Sequence, residues 1–454
     1  MTRNVLLVIC MFLTTLVLTD KSSAQSRQPY PDAITNSSVM PETPMLPPIK
    51  NVVFPDPDFG SSMVRVTDES TNSELPGAYL RTEGGEAVEW SADGGKFYVE
   101  GKGGRDLVFA FDAATMAVGS LPGVKTGDGF VLPLRPSPSF SLVDSDLIYG
   151  TSQADPLTIK SYRFSTGVAT PLIDTRTCGV QPPLGSGASV VSDDDVTPSL
   201  DDSRFSISEG GAEFGKDMFV VVYDKKLGCR WYNTQSGEIG GEWGTTGAAS
   251  ITTPYLINHA YLSRSGEYVL ILVDWFGWYV WDLSTLKVTA CPADDSVEGC
   301  AGYRAVGYNS MVNGPAVTGS MQTAKRFLGD IADISELVPP VTSDWREDRH
   351  FTWANVNAND STPICVSTYG YDTGIWIDEP YEGEIFCIET DGVASTVWRF
   401  AHNRANYIPP FFQTQPLGSV SRSGRFFLFT SNWDAQLGAV NGVPRSDVFI
   451  VKLN

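Results

Sequence analysis

The amino-acid sequence predicts an all-β fold, a seven-bladed β-propeller (six or eight blades are the alternatives) closed by an N-terminal strand. Three observations predict it. A short hairpin unit recurs along the chain, helical periodicity is almost absent in a sequence with 43 glycines, and the last unit ends before its outer strand. Short β-rich runs separated by Gly, Asp, Asn and Ser clusters indicate strands joined by tight turns.

The recurring unit is a hairpin with a polar turn. Its clearest copies cover residues 90–99, 262–270 and 420–428, and degenerate copies cover residues 143–149 and 200–207. A Ser or Asp that starts such a turn can bond to the backbone two residues further on, and Gly tolerates the positive φ that a tight turn needs. The apolar residues that follow each turn predict a buried strand.

A third strand and an outer strand follow the hairpin in most units. The third strand is clearest at residues 107–112, 278–282, 384–388 and 447–451. Four antiparallel strands per unit, repeated every 40 to 60 residues or so, are typical of propeller blades. The blades are expected at residues 88–123, 139–175, 195–242, 257–291, 302–338, 349–400 and 416–453, of which the fifth has the weakest hairpin.

The two ends of the folded body are expected to complete one blade together. The last unit ends at Asn454 after its third strand, and residues 62–67 form a strand-like run before the first full unit. A strand supplied from the N-terminal side would close the ring and remove exposed sheet edges. We therefore expect residues 62–67 to pair antiparallel with residues 447–453.

The propeller domain is expected to span residues 58–454, after two N-terminal segments. The apolar run 5–18, which follows Arg3 and precedes small residues at 22–24, predicts a secretory signal peptide over residues 1–24. Residues 25–57 contain eight prolines and few large apolar side chains, which predicts an extended or disordered tether. The expected location is secreted or periplasmic, without a membrane span in the mature chain.

The charge and the cysteines narrow the partners and the compartment. A formal net charge of −21 repels phosphate backbones, which excludes nucleic acid as a partner and favours a soluble monomer. Six cysteines remain outside the signal peptide, and an even number in an exported chain indicates disulfides. The expected pairs are Cys178 with Cys229, Cys291 with Cys300, and Cys365 with Cys387.

The hairpins resemble a known group of propellers. Their Ser-x-x-Gly-x-aromatic pattern is similar to the repeats of TolB-like and WD40-like bacterial propellers, and residues 429–433 with 447–451 resemble the last blade of many secreted members. A weaker resemblance is to the oligogalacturonate lyases, which hold a metal on one propeller face with histidines and a glutamine. Those enzymes carry His-Pro before the last hairpin, where this chain has Gln415-Pro416.

The candidate site residues gather around the three histidines. His259 and His350 lie near the starts of innermost strands, and His402 lies on the crossing to the last blade. Strand starts and blade crossings share one propeller face, so we expect one pocket there. The ends of second strands reach the same face, which adds neighbouring polar and aromatic residues. The expected binding residues are His259, His350, His402, Arg404, Arg304, Trp275, Trp433 and Asp274.

Two functions and one purely structural interpretation fit these residues. The leading hypothesis is a ligand-binding module for a carbohydrate or an extracellular or envelope protein, with aromatic side chains that stack on sugars. The alternative is a metal-dependent, lyase-like enzyme that degrades polysaccharides. In that case His259, His350, His402 and Gln415 would hold a divalent metal ion, and an arginine would meet the acidic substrate. In the structural interpretation, the histidines cap strands and the tryptophans fill space between blades. The sequence nominates no catalytic base beyond a spare histidine.

Overall fold

The structure is a computed structural model of the chain. It describes residues 29–84, 87–102, 104–123, 125–126, 129–134, 137–152, 154–179, 196–210, 217–244, 247–249, 254–273, 277–291, 303–314, 325–328, 334–337, 347–354, 356–370, 380–390 and 396–454.

The described residues are almost entirely β-structure. They form seven sheets of four to six strands, one two-stranded hairpin (Ala439–Val440 with Val443–Pro444) and two 3-10 helices, Thr175–Cys178 and Phe412–Thr414. All of the strand pairings are antiparallel, and each sheet is built from strands that follow one another along the chain, except at the two chain ends. This is the all-β propeller architecture that the sequence predicts, while the number of blades in the ring stays a prediction.

The sheets are numbered here in chain order. Sheet 1 contains Leu80–Arg81, Lys96–Gly101, Arg105–Asp112, Ala117–Ser120, Lys125–Thr126 and Gly129–Val131. Sheet 2 contains Ser139–Phe140, Leu147–Ser152, Asp155–Arg163 and Val168–Asp174. Sheet 3 contains Thr197–Pro198, Arg204–Glu209, Phe219–Asp224, Gly228–Asn233, Glu238–Gly241 and Gly247–Ala248.

The remaining sheets cover the second half of the chain. Sheet 4 contains His259–Leu262, Tyr268–Val273, Gly277–Asp282 and Val288–Cys291. Sheet 5 contains Tyr303–Val306, Ser310–Gly314, Lys325–Leu328 and Ile334–Glu336. Sheet 6 contains Glu347–Thr352, Ile364–Gly370, Glu384–Ile388 and Val397–His402. Sheet 7 contains Val53–Pro55, Ser62–Arg65, Asp447–Lys452, Phe426–Ser431 and Gly418–Val420.

Sheet 7 is closed by the N-terminal strand, as predicted. Ser62–Arg65 pairs antiparallel with Asp447–Lys452, and Met63 lies opposite Val451. A further strand, Val53–Pro55, pairs with Ser62–Arg65 and was not expected from the sequence. The side chain of Val64 is fully buried in an apolar cluster that joins sheet 7 to sheet 1. Closure therefore buries apolar surface as well as pairing a sheet edge.

The turn of the recurring hairpin is fixed by its first serine. In four sheets this serine hydroxyl accepts a hydrogen bond from the N–H group five residues later, at 2.9–3.1 Å, whereas the sequence predicted a bond to the backbone two residues later. The serines are Ser91, Ser199, Ser263 and Ser421. The residue three positions after the serine has positive φ. It is glycine in three of these turns and Asp202, at φ 55°, in the fourth. One local bonding pattern thus produces hairpins of poor sequence identity.

Two of the three expected disulfides lie within the described residues, and both are formed. Cys178 is bonded to Cys229, and Cys365 to Cys387 across neighbouring strands of sheet 6. Cys300 lies outside the described residues. No helix in the described part of the chain is long and apolar enough to cross a membrane.

The predicted tether is extended, but residues 29–58 are held against sheets 6 and 7. The Tyr30 hydroxyl donates to the Gly424 carbonyl at 2.9 Å. Arg399 donates to the carbonyls of Asn36 and Ser38, both at 2.8 Å. A proline-rich segment offers few N–H groups, yet its carbonyls still accept hydrogen bonds, and here buried side chains of the sheets donate to them.

Candidate functional site

His350 lies on the innermost strand of sheet 6 and faces sheet 7. Two residues further along this strand, Thr352 accepts a hydrogen bond from the Val420 N–H group of sheet 7, which fixes the direction of alternate side chains. The His350 side chain is hydrogen-bonded to the side chain of Gln415, which precedes the innermost strand of sheet 7. Its ring stacks on Tyr369 with centroids 5.4 Å apart. Two members of the predicted metal set, His350 and Gln415, are therefore in contact.

Burial keeps the His350 imidazole neutral. Desolvation is the largest influence and lowers its pKa from 6.5 to about 3, and the positive charge of Arg81 acts in the same direction. The hydrogen bond with Gln415 acts the other way and is too weak to reverse the shift. Arg81 lies on the strand Leu80–Arg81 of sheet 1 and is paired with Glu100. A neutral imidazole, an amide and a guanidinium thus lie near one another around the inner strands.

His259 of sheet 4 and Arg304 of sheet 5 both point toward the junction of these two sheets. The Tyr261 side chain packs in a cluster with Met311 and Val306 of sheet 5. Because side chains alternate along a strand, His259 points the same way as Tyr261, and their rings are parallel with centroids 5.6 Å apart. Arg304 lies two residues before Val306, so it points toward sheet 4. Its side chain is buried, and only 4% of the residue surface is exposed.

His402 lies at the opposite edge of sheet 6 from His350. In the register of the sheet, His350 is opposite Ser367, Ser367 is opposite Ile385, and Ile385 is opposite Ala401, the neighbour of His402. Three strand spacings separate the two histidines, which amounts to about 14 Å. The four predicted metal ligands are therefore divided between the inner strands and the outer edge, because adjacency to a blade crossing does not specify distance from the channel.

At that outer edge, His402 is completely buried by the N-terminal segment. Its Nε2 atom lies 3.2 Å from the carbonyl oxygen of Met40, and its Nδ1 atom lies 3.3 Å from Oδ2 of Asp58. The Asp56 carboxylate accepts the backbone N–H of His402 at 3.2 Å. The sequence interpretation missed both aspartates, because the segment that carries them looks like a linker.

Arg404 and Trp433 also belong to this buried edge. Arg404 donates to Glu42 at 3.0 Å and lies over the Trp433 ring at 5.4 Å. Trp433 stacks on Phe449 and donates its indole N–H to the carbonyl of Met45. Both side chains are shielded from solvent, so their role as ligand contacts stays a prediction. Burial and the nearby carboxyl of Asp434 raise the pKa of Glu42 to about 8.

The remaining features are two further candidate residues and a cavity at the other end of the inner strands. Asp274 and Trp275 lie outside the described residues. At the hairpin end of the inner strands, opposite to the start of the His259 strand, a cavity is lined in part by Arg264 and Arg422. These arginines occupy the same position of the repeat, directly after Ser263 and Ser421.

Comparisons with known proteins show the fold. No family model and no curated protein sequence matches the chain. Among solved structures, an oligogalacturonate lyase in complex with manganese is similar, with a TM-score of 0.54 and 12% identity over 89% of this chain and 96% of that chain. An oligogalacturonate lyase from Vibrio parahaemolyticus gives a TM-score of 0.52 and 11% identity over the same shares. The likeness shows a shared propeller-like fold.

Proposed function

We propose that the protein is an extracellular ligand-binding propeller that takes an acidic carbohydrate at the face where the inner strands start. The observation that carries this proposal is the set of cationic and hydrogen-bonding side chains on these strands. His350 with Gln415 stands at the junction of sheets 6 and 7, and His259 with Arg304 at the junction of sheets 4 and 5. Guanidinium groups recognise carboxylates, and amide and imidazole groups hydrogen-bond to sugar hydroxyls.

The negative net charge of the chain favours binding of an acidic ligand at these side chains over the rest of the surface. The chain has a formal net charge of −21, so an acidic ligand is repelled from most of the surface. Arg304 puts positive charge on an inner strand, where an acidic ligand can be held. The two disulfides support the extracellular placement, since such bonds persist in oxidising compartments.

A metal-dependent enzyme that degrades an acidic polysaccharide is the second candidate, and one observation favours it. The pKa of His350 is about 3, so its imidazole is neutral at physiological pH and suits metal ligation. Gln415 beside it supplies an oxygen ligand. A bound divalent ion would supply Lewis-acid stabilisation of substrate charge. As a general base the same imidazole would be weak, because catalysis favours a pKa near the working pH. The binding role is therefore preferred.

The test compares an acidic with a neutral oligosaccharide of equal length by titration calorimetry. We expect the chain to bind oligogalacturonate and not an oligomer of glucose. Arg304→Gln should weaken binding tenfold or more, and His350→Gln should weaken it as well. Arg422→Gln is the matched control, because it removes an arginine from the opposite end of the inner strands.

Two outcomes decide between the candidates. Equal losses in Arg304→Gln and Arg422→Gln, or no binding of the acidic oligomer, would contradict the proposed site. Release of an unsaturated product from oligogalacturonate, dependent on added Mn²⁺ and abolished by His350→Gln, would establish the enzyme instead.

A further inference from the structure

A second constellation lies at the outer edge of sheet 6, apart from the inner strands. Asp56, Asp58 and His402 each present a ligand atom there, and these atoms lie within 4.8 Å of one another. Asp56 and His402 are buried, and Asp58 is nearly so. The two aspartates come from the N-terminal segment and the histidine from the last strand of sheet 6, so the constellation joins two distant parts of the chain.

The orientation of His402 favours a cation between its ring and Asp58. Its Nε2 faces the Met40 carbonyl, which only accepts hydrogen bonds, so Nε2 carries the proton. The other nitrogen, Nδ1, then presents a lone pair, and it is buried without a hydrogen-bond partner among the described residues. The atom in front of it is Oδ2 of Asp58 at 3.3 Å, another electron-pair donor. Two buried lone pairs that face each other repel unless a cation lies between them.

Backbone and side-chain hydrogen bonds hold the two carboxylates in place. Asp56 Oδ1 accepts the N–H groups of Asp58 and Phe59, both at 2.9 Å. Asp58 accepts the N–H and the hydroxyl of Thr43 at 2.9 and 2.5 Å. Each carboxylate oxygen has two lone pairs, so these bonds orient the groups and leave capacity for a metal. Such outer contacts are typical of metal sites in proteins.

The surrounding charges leave room for a divalent ion. Burial and the neighbouring carboxyl of Asp434 raise the pKa of Glu42 to about 8, so Glu42 keeps its proton at neutral pH and the two groups together carry one negative charge. Asp56 and Asp58 add two negative charges, and the Arg404 guanidinium, which contacts Glu42 and lies 3.9 Å from Asp58, removes one. The cluster thus keeps two uncompensated negative charges, the charge that one divalent cation neutralises.

We propose that Asp56, Asp58 and His402 bind a divalent first-row transition-metal ion that fastens the N-terminal segment to the propeller. Nitrogen and carboxylate ligands at about 2.0–2.2 Å from a four-coordinate ion lie about 3.3–3.6 Å apart, which matches the spacing of Nδ1 and Oδ2. Mixed imidazole and carboxylate ligands suit ions from Mn²⁺ to Zn²⁺. The role is structural and independent of saccharide binding.

The test uses the full mature chain, stripped with a chelator and dialysed against Zn²⁺ or Mn²⁺. Elemental analysis should find one ion per chain, and limited proteolysis within residues 29–58 should become faster when the ion is removed. Asp58→Asn keeps the shape of the side chain and should lower the affinity tenfold or more. His350→Gln should keep the ion, which separates this site from the inner strands.

Asp434→Asn removes a neighbouring carboxyl that is not a ligand and should retain one ion per chain. The proposal is wrong if the stripped wild-type chain takes up neither ion, or if His350→Gln loses the ion while Asp58→Asn keeps it. Failure of oligogalacturonate binding would leave these measurements unaffected.

Discussion

Ring closure depends on a buried ionic network that can be broken at one residue, Asp447. Its carboxylate accepts hydrogen bonds from Arg65 Nε at 3.0 Å and from Arg445 Nη2 at 2.6 Å. Arg65 belongs to the closing N-terminal strand and Asp447 to the last strand of the chain, so the network spans the seam of sheet 7. The substitution Asp447→Asn keeps the size of the side chain and removes its negative charge.

The expected loss of stability is large because all three side chains are buried. Asp447 has a fully buried side chain, and the side chains of Arg65 and Arg445 are 10% and 8% exposed. Asparagine would leave the two guanidinium groups with only the exposed carboxylate of Glu69 as a counter-ion, and its amide N–H groups would face them. Removing one partner of a buried ion pair costs about 3–5 kcal/mol. That is a large share of the roughly 5–15 kcal/mol by which folded proteins are stable.

The assay is urea unfolding of the wild-type protein and the Asp447→Asn variant, with tryptophan fluorescence as the probe. The matched control is Asp144→Asn, which removes the partner of Arg163 in an exposed pair at 3.0 Å with side chains 37% and 41% exposed. This control should cost less than about 1 kcal/mol. Equal losses of unfolding free energy in the two variants would refute the argument that the seam is stabilised by this network.

Two further predictions concern His350 and the N-terminal segment. Because the pKa of His350 falls from 6.5 to about 3 on folding, its contribution to stability is complete above pH 6.5 and is lost as the pH falls toward 3. Between pH 7 and pH 5 this loss amounts to about 2 kcal/mol, so His350→Gln should flatten that part of the unfolding profile, and an unchanged profile would contradict it. Tyr30→Phe should lower the unfolding free energy by about 1 kcal/mol, since the Gly424 carbonyl loses its donor. A thermal or urea midpoint equal to that of the wild type would mean that the segment is not docked in solution.

The repeat and the closure were predictable because their causes are local or follow from sheet edges. A serine and a positive-φ residue three positions later determine the hairpins of four sheets, and both can be recognised in the sequence even where Asp202 replaces glycine. The incomplete last unit and the spare strand at residues 62–67 required each other, since an unpaired edge is a liability. The pair Cys365–Cys387 followed from the same strand assignment, and Cys178 and Cys229 were the two cysteines that then remained to pair.

The contacts of residues 29–58 were not predictable, because no periodicity announces them. A proline-rich segment reads as a linker, and its binding uses carbonyl oxygens, which every residue possesses. Asp56 and Asp58 became informative only beside His402, more than 340 residues away in sequence. The sequence also does not show that a histidine near the start of an inner strand, such as His350, and a histidine at the end of an outer strand, such as His402, lie at different distances from the channel.

Sheet 6 therefore gives its two described histidines opposite environments. His350 on the inner strand is a neutral group held by Gln415, whereas His402 on the outer strand faces two carboxylates of the N-terminal segment. A loss of saccharide binding in a His402 variant would thus have an indirect cause, release of the segment from the edge of the sheet. A loss in a His350 variant would be direct. Proteolysis of residues 29–58 separates the two, since only the His402 variant should accelerate it.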